Sequence, residues 1–254
     1  MKILLSPAKS INESCNYPEF TFSTPDFKKE AAQLVRRLKK IRSKDLMELM
    51  HVSKDIAELN VYRYKNWYLS DQPSEEVRPA AFLFTGEVYK GLSIENFNSD
   101  QLQIAQDSIR ILSGMYGLLK PLDLIYPYRL EMGTRLEVKE SVNNLYDFWN
   151  TKLTKSLIKQ TEKEEAVVNL ASVEYAKSIQ LKSLNRTVIT PTFKEFKNGD
   201  YKVIMMFAKH ARGSMARYII ENNIQQIEDL KGFQTGGYSF DEKLSTENDW
   251  VFVR

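Results

Sequence analysis

The chain has 254 residues, with 36 Lys and Arg against 33 Asp and Glu and a formal net charge of +3. That length suits one large domain or two small ones, with a core that needs no staples, and so weak a net charge does not by itself announce a polyanion partner. A single cysteine, Cys15, excludes an intrachain disulfide and fits a reducing compartment.

The N-terminal apolar run, Ile3-Leu4-Leu5, is too short for a signal-peptide core. No apolar run approaches the roughly 20 residues that cross a bilayer. The sequence therefore predicts a cytoplasmic protein.

Ile3–Leu5 reads as a buried strand, and Ser6-Pro7-Ala8-Lys9-Ser10 leaves its end as a loop. From Ser23 to Ile41 the pattern is helical. Thr24 is placed to cap, Pro25 fits the first position, and Phe27, Ala31, Leu34, Leu38 and Ile41 form one apolar face. Ser43 and Ser53 look like caps for two further helices. Gln72–Pro79 is a polar connection, and Ala80–Phe84 reads as a buried strand. Ser99-Asp100 opens another helix, after which Ile109–Leu112 fits either its last turn or a strand.

Ser113–Leu136 is punctuated by glycine and proline and rich in tyrosine and arginine. It holds too many large apolar residues to be disordered, so it reads as an ordered functional segment. Leu145–Ile158 is helical and Ala166–Leu170 is a strand, with a short helix around Glu174–Ile179. Thr187–Phe196 alternates, Asn198-Gly199 marks a turn, and Tyr201–Phe207 reads as the returning strand of a hairpin. Ala211–Asn222 is helical. Trp250–Val253 is expected to pair with Tyr238–Phe240. No clean βαβ series is visible, and the chain reads as one α+β domain over 1–254, a mixed sheet flanked by helices.

Chemistry-bearing motifs are sparse. His51 sits in an apolar helical stretch, and His210 is an incidental member of a basic cluster. Two histidines and one cysteine make no local zinc set. No GxSxG, Walker A or GxGxxG motif implies a cofactor. Three cationic segments lie where elements end. Lys9 follows the first strand, Arg129 and Arg135 flank Glu131 and Gly133, and Lys209, Arg212 and Arg217 run from the hairpin into a helix. Arginine near glycine turns and helix starts suits oxyanion recognition. Tyr116, Tyr126, Tyr128 and Tyr218 lie among these cations, to stack on bases or to pack inside. The competing explanation for the cations is a set of salt bridges with Glu131, Glu137, Asp147 and Glu174.

Several blocks together resemble one family. They are Ser6-Pro7-Ala8-Lys9, Leu112–Asp123 with its Gly114-Met115-Tyr116-Gly117, Pro127-Tyr128-Arg129-Leu130-Glu131-Met132-Gly133, Tyr146-Asp147-Phe148-Trp149, Asn169-Leu170-Ala171-Ser172, and Ala211-Arg212-Gly213 with Ala216-Arg217. In this order they resemble the bacterial YaaA family of peroxide stress proteins over essentially the whole chain. The resemblance implies a cytosolic protein that limits damage when peroxide meets iron, a family-specific fold with a positive cleft, and duplex DNA binding. Members are described as carrying a helix-hairpin-helix element. Two stretches are candidates: Ile56–Asn60, where Glu58 and Asn60 stand in place of glycines, and Leu112–Leu118, whose glycines are three apart rather than two.

Two functions follow. The first is a DNA-binding stress protein contacting phosphates through Lys9, Arg129, Arg135, Lys209, Arg212 and Arg217. The second is an enzyme acting on a nucleotide or damaged base, with Lys9 as nucleophile, Glu131 or Glu174 as general acid or base, and Arg129 or Arg212 as phosphate clamp. Direct iron sequestration lacks the paired Glu-x-x-His pattern of hard-iron sites, so any effect on iron is indirect. No cofactor, metal, membrane or obligate protein partner is expected.

Overall fold

The computed structural model describes residues 1–254. The chain opens with strand β1 (Lys2–Leu5) and the short β2 (Ser10–Ile11), then helices α1 (Lys28–Leu38), α2 (Ser43–Met50) and α3 (Lys54–Asn66). A set of short pieces follows: β3 (Arg78–Pro79), α4 (Ala80–Leu83), β4 (Phe84–Thr85) and α5 (Glu87–Leu92). Helix α6 (Ser99–Ser108) leads straight into β5 (Ile109–Ser113), β6 (Gly117–Leu119) and β7 (Leu124–Ile125). The second half holds α7 (Leu145–Trp149), α8 (Lys152–Lys159), β8 (Val167–Asn169), α9 (Val173–Ala176), β9 (Val188–Lys197), β10 (Asp200–Lys202), α10 (Met205–Glu221), β11 (Ser239–Asp241) and β12 (Asp249–Val253).

One mixed sheet organises the α+β domain, in the order β11-β12-β9-β8-β1-β5-β6, with β10 hydrogen-bonded to β9. The five strands from β12 to β5 are mutually parallel, and only the margins are antiparallel. A parallel strand covered on both faces reads as a continuous apolar run. Ile3-Leu4-Leu5 and Val167-Val168 are such runs, and all five are wholly buried. This parallel centre is invisible as a βαβ series because most of a domain's worth of chain separates β1 from its neighbour β5.

Several elements differ from the sequence reading. Helix α1 starts after Phe27, not Thr24, because Ser23 is engaged with Asp123 through a 2.6 Å hydroxyl–carboxylate bond. Ala80–Leu83 is a helical turn between two short bridges rather than a strand. The helix expected over Leu145–Ile158 breaks at Asn150, whose φ is 42°. The returning strand of the Asn198-Gly199 hairpin ends at Lys202, and Met205–Phe207 already forms the first turn of α10. Ser53 does cap α3, and the terminal hairpin pairs Phe240 with Phe252 as expected.

Both helix-hairpin-helix candidates are overturned. Ile56–Asn60 lies inside the unbroken helix α3. Leu112–Leu118 is the tight turn between β5 and β6, buried throughout and out of reach of any phosphate. Its glycines serve packing. A Cβ on Gly114 would stand 2.3 Å from the Leu130 carbonyl oxygen, so only glycine lets that segment lie across the end of β5. Gly117 takes φ 75° against Trp149, Leu153 and Phe27.

Candidate functional site

The chain leaves β1 for β5 on one side and leaves β8 for β9 on the other. The topological switch therefore falls between β1 and β8, where open parallel sheets expose a crevice at the strands' carboxyl ends. Two loops meet there. Ser6 Oγ accepts the Ser172 backbone N–H at 2.8 Å and donates to Ser172 Oγ at 3.3 Å. Asn169 ends β8 and folds its side chain back, with Oδ1 accepting from the Ala171 N–H at 3.3 Å.

Beside this joint, Lys9 Nζ lies 2.7 Å from Glu131 Oε2, and Arg129 Nη2 donates to Glu131 Oε1 at 3.1 Å. One carboxylate thus serves two cations. The Lys9 side chain is 63% exposed while that of Arg129 is only 17% exposed. The Arg129 Nε is buried with no hydrogen-bond partner. Gly133 donates its N–H to Glu174 Oε1 at 2.8 Å, and Tyr146 Oη donates to the Glu174 carbonyl at 3.0 Å. This fixes the segment Arg129–Gly133 between β5 and the loop after β8.

The floor is phenolic. Tyr89 Oη donates to the Ser6 carbonyl at 3.0 Å, and Tyr128 Oη shares a hydrogen with Ser113 Oγ at 2.6 Å. Burial drives the pKa of Tyr89, Tyr128 and Tyr175 far up, and the Tyr128 phenol and the Glu174 and Glu131 charges add to the effect at Tyr175. These hydroxyls stay protonated. Tyr116, Tyr126 and Tyr128 are at most 5% exposed, so they pack inside rather than offer faces to bases.

The cations of α10 stand one helix away. Helix α10 crosses α5 so closely that a Cβ on Gly213 would lie 1.8 Å from the Val88 carbonyl oxygen. Arg212 is half-buried and makes neither an ion pair nor a hydrogen bond within the protein, and burial pulls its pKa down. Arg217 is committed: it donates to the Ser93 carbonyl at 3.1 Å, pairs with Glu221 at 2.6 Å and lies over the Phe97 ring. Lys209 and Arg135 are exposed, without contact to the Lys9 cluster. The structure thus brings Lys9, Arg129 and Glu131 into contact, but not Arg135, Lys209, Arg212 or Arg217.

Residues missed from the sequence are Ser6, Ser172 and the pair Arg63–Glu13, the last tied by a short ion pair next to the Tyr64 that donates to the Arg129 carbonyl. Burial chiefly, and Tyr128 secondarily, raise the Tyr64 pKa against the pull of Arg63 and Arg129. A pairing between residues so far apart leaves no local signal. No group of three or more His, Cys, Asp or Glu stands close enough to hold a metal ion. No helix is long and apolar enough to cross a membrane.

Comparison with known proteins supplies the family. The model described as "Peroxide stress protein YaaA" matches residues 1–244. The chain belongs to the YaaA family of peroxide stress proteins. A UPF0246 protein of Flavobacterium johnsoniae is 48% identical over 254 residues, covering the whole of both chains. Another from Flavobacterium psychrophilum is 46% identical over the whole of both, and one from Aliivibrio fischeri is 45% identical over all of this chain and 98% of its own. The YaaA-like blocks Ser6–Lys9, Pro127–Gly133 and Asn169–Ser172 are the segments that meet at the switch point.

Proposed function

We propose that this YaaA-family protein acts in the cytoplasm during peroxide stress by binding duplex DNA, largely without regard to sequence, and that this limits iron-dependent damage. One observation carries the reading: at the carboxyl ends of the parallel strands, Lys9 and Arg129 share the single carboxylate Glu131, while Glu174 is held by the Gly133 N–H. A phosphate competes there with Glu131 for charge-assisted bonds. Arg212, without a carboxylate of its own, and the exposed Lys209 and Arg135 are further cations apart from this cluster. Phosphate contacts of this kind give affinity without base readout.

The test is a titration of duplex DNA at several salt concentrations. With about 4–6 phosphates neutralised, log K falls against log salt with a slope of roughly −4 to −5. Absence of binding at low salt contradicts the proposal.

A second reading, an enzyme acting on a nucleotide or damaged base, is favoured by the same Lys9–Glu131 contact and by the Ser6–Ser172 hydroxyl pair beside it. Lys9→Arg separates the two. It keeps the charge and most of the phosphate affinity but removes a nucleophilic amine. Full peroxide protection by Lys9→Arg supports binding, and lost protection with retained DNA affinity supports turnover.

A further inference from the structure

Between the segment Asn12–Asn16 and the short pieces α4, β4 and α5 lies a cleft of about 450 Å³, a size typical of small-molecule sites. The segment that walls it is fastened and held off the floor. The Asn12 N–H donates to the Leu83 carbonyl at 2.8 Å, Arg78 donates to the Cys15 carbonyl at 3.0 Å, and Glu13 pairs with Arg63. At the mouth stands Gly86, whose φ of 111° is a conformation that side chains rarely adopt, so no side chain closes the opening there.

The floor is apolar and largely aromatic. Phe82, Phe84, Tyr89 and Ile94 line it, and Phe84 and Tyr89 lie tilted with ring centroids 5.5 Å apart. Polar groups stand among the other lining residues, and their charges are unequal. Lys90 is committed to Glu87 at 2.7 Å, while the exposed Glu95 forms no ion pair. The Asn16 carboxamide and the Thr85 hydroxyl also line the cleft and make no hydrogen bond within the protein. An apolar floor with an unpaired carboxylate and an open carboxamide beside it suits a ring that carries a positive tail. The ring covers the aromatic floor, and an ammonium meets Glu95 and the Asn16 carbonyl. A carboxylate in that place would face Glu95 as a like charge, with Lys90 already engaged.

We propose that this cleft is a binding site for a small aromatic amine, with the ring on Phe82, Phe84 and Tyr89 and the ammonium at Glu95. It is a site apart from the Lys9–Glu131 cluster and does not depend on the DNA-binding reading. The two are neighbours nonetheless. Tyr89 donates to the Ser6 carbonyl, and a Cβ on Gly86 would lie 3.7 Å from that of Ala8, so the cleft backs onto the loop that carries Lys9.

Ligand-observed NMR titrations on the full chain test this with three probes of one shape: phenethylamine, phenethyl alcohol and phenylpropionate. The amine is expected to bind about threefold more tightly than the alcohol, and the acid more weakly than either. Glu95→Gln, a change at an exposed position, is expected to bring the amine to the alcohol's affinity and leave the alcohol's unchanged. Thr85→Phe, which fills the cleft from its partly exposed wall, is expected to abolish binding of all three. Cys15 lines the same cleft and reports occupancy independently of any variant. With the amine at about ten times its Kd, labelling of the parent's thiol by a small methanethiosulfonate is expected to slow about tenfold. No binding of the amine, an acid that binds as well as the amine, a Glu95→Gln variant that keeps the amine's advantage, or an unprotected thiol overturns the site. Undiminished binding by Thr85→Phe places the ligand elsewhere and also overturns it.

Discussion

The two ends of the parallel sheet treat their cations differently. At the amino ends of the strands, four cations are absorbed. The Met1 ammonium lies 3.1 Å from Glu165, Lys2 donates to the Asp107 carbonyl at 2.9 Å, Arg110 to the Gln106 carbonyl at 3.0 Å, and Arg186 to the Thr161 carbonyl at 3.1 Å. Those carbonyls belong to the last turn of α6 and the residues just past α8, where backbone oxygens lack helical partners and carry the negative end of the dipole. At the carboxyl ends only β8 runs directly into a helix, α9, while β5 and β9 turn back into β6 and β10 and offer no helix C-terminus. The cations there, Lys9 and Arg129, meet a side-chain carboxylate, and both share Glu131. The same residue types thus act as structural ties at one end and as an anion-seeking surface at the other.

Gly114→Ala strikes the second end hardest. Its methyl would collide with the Leu130 carbonyl and drive Arg129 and Glu131 from the end of β5. We expect a loss of about 3 kcal/mol by chemical denaturation, together with loss of DNA affinity.

Arg217 and Arg212 sharpen the contrast within one helix. Arg217→Ala removes bonds to the Ser93 carbonyl and Glu221 and the contact over Phe97, and should cost about 2 kcal/mol. Arg212→Ala removes no bond, so the thermal midpoint should hold while the salt slope of DNA binding becomes shallower by about 1. The reverse pattern would mean that the roles are exchanged.

Glu165 tests the first end. Burial raises its pKa, but bonds from the Met1 ammonium and the Glu162 N–H, with Lys2 nearby, outweigh this and hold it below the ordinary value. A depressed folded pKa means its stabilisation is present above the unfolded value of about 4.3 and lost as pH falls through the folded one. Glu165→Gln should therefore flatten stability against pH in that acid window and cost no more than about 1 kcal/mol at neutral pH. An unchanged acid limb would show that the tie carries no energy.

The smallest effect belongs to Cys15. Burial raises its thiol pKa against the pull of Arg78, which donates to the Cys15 carbonyl at 3.0 Å. A protonated, buried thiol reacts slowly with peroxide. Cys15→Ser should leave peroxide survival unchanged in cells that depend on this protein, and a sensitive phenotype would make the thiol a sensor.

Local signals carried much of this architecture. The buried strands at Ile3–Leu5 and Val167–Asn169, the Ser53 cap and the Asn198-Gly199 turn are each written in a few adjacent residues. Sheet order is not, because β1 finds β5 and β8 only after long excursions of chain. Lys9, Arg129 and Glu131 could be named in advance from their blocks, but their contact depends on Gly114 admitting the Leu130 backbone, a tertiary fit without sequence periodicity. The hairpin-helix boundary failed for a related reason: Val203–Phe207 is apolar enough to extend a strand, and its exposure was invisible.

The most direct test of the account is the salt dependence of duplex binding for the parent and for Lys9→Ala with Arg129→Ala. The account predicts a slope of roughly −4 to −5 for the parent, shallower by about 2 in the double variant, with its amino-end ties and thermal midpoint intact. A parent that binds no duplex at low salt, or a double variant with the parent's slope and affinity, would contradict it.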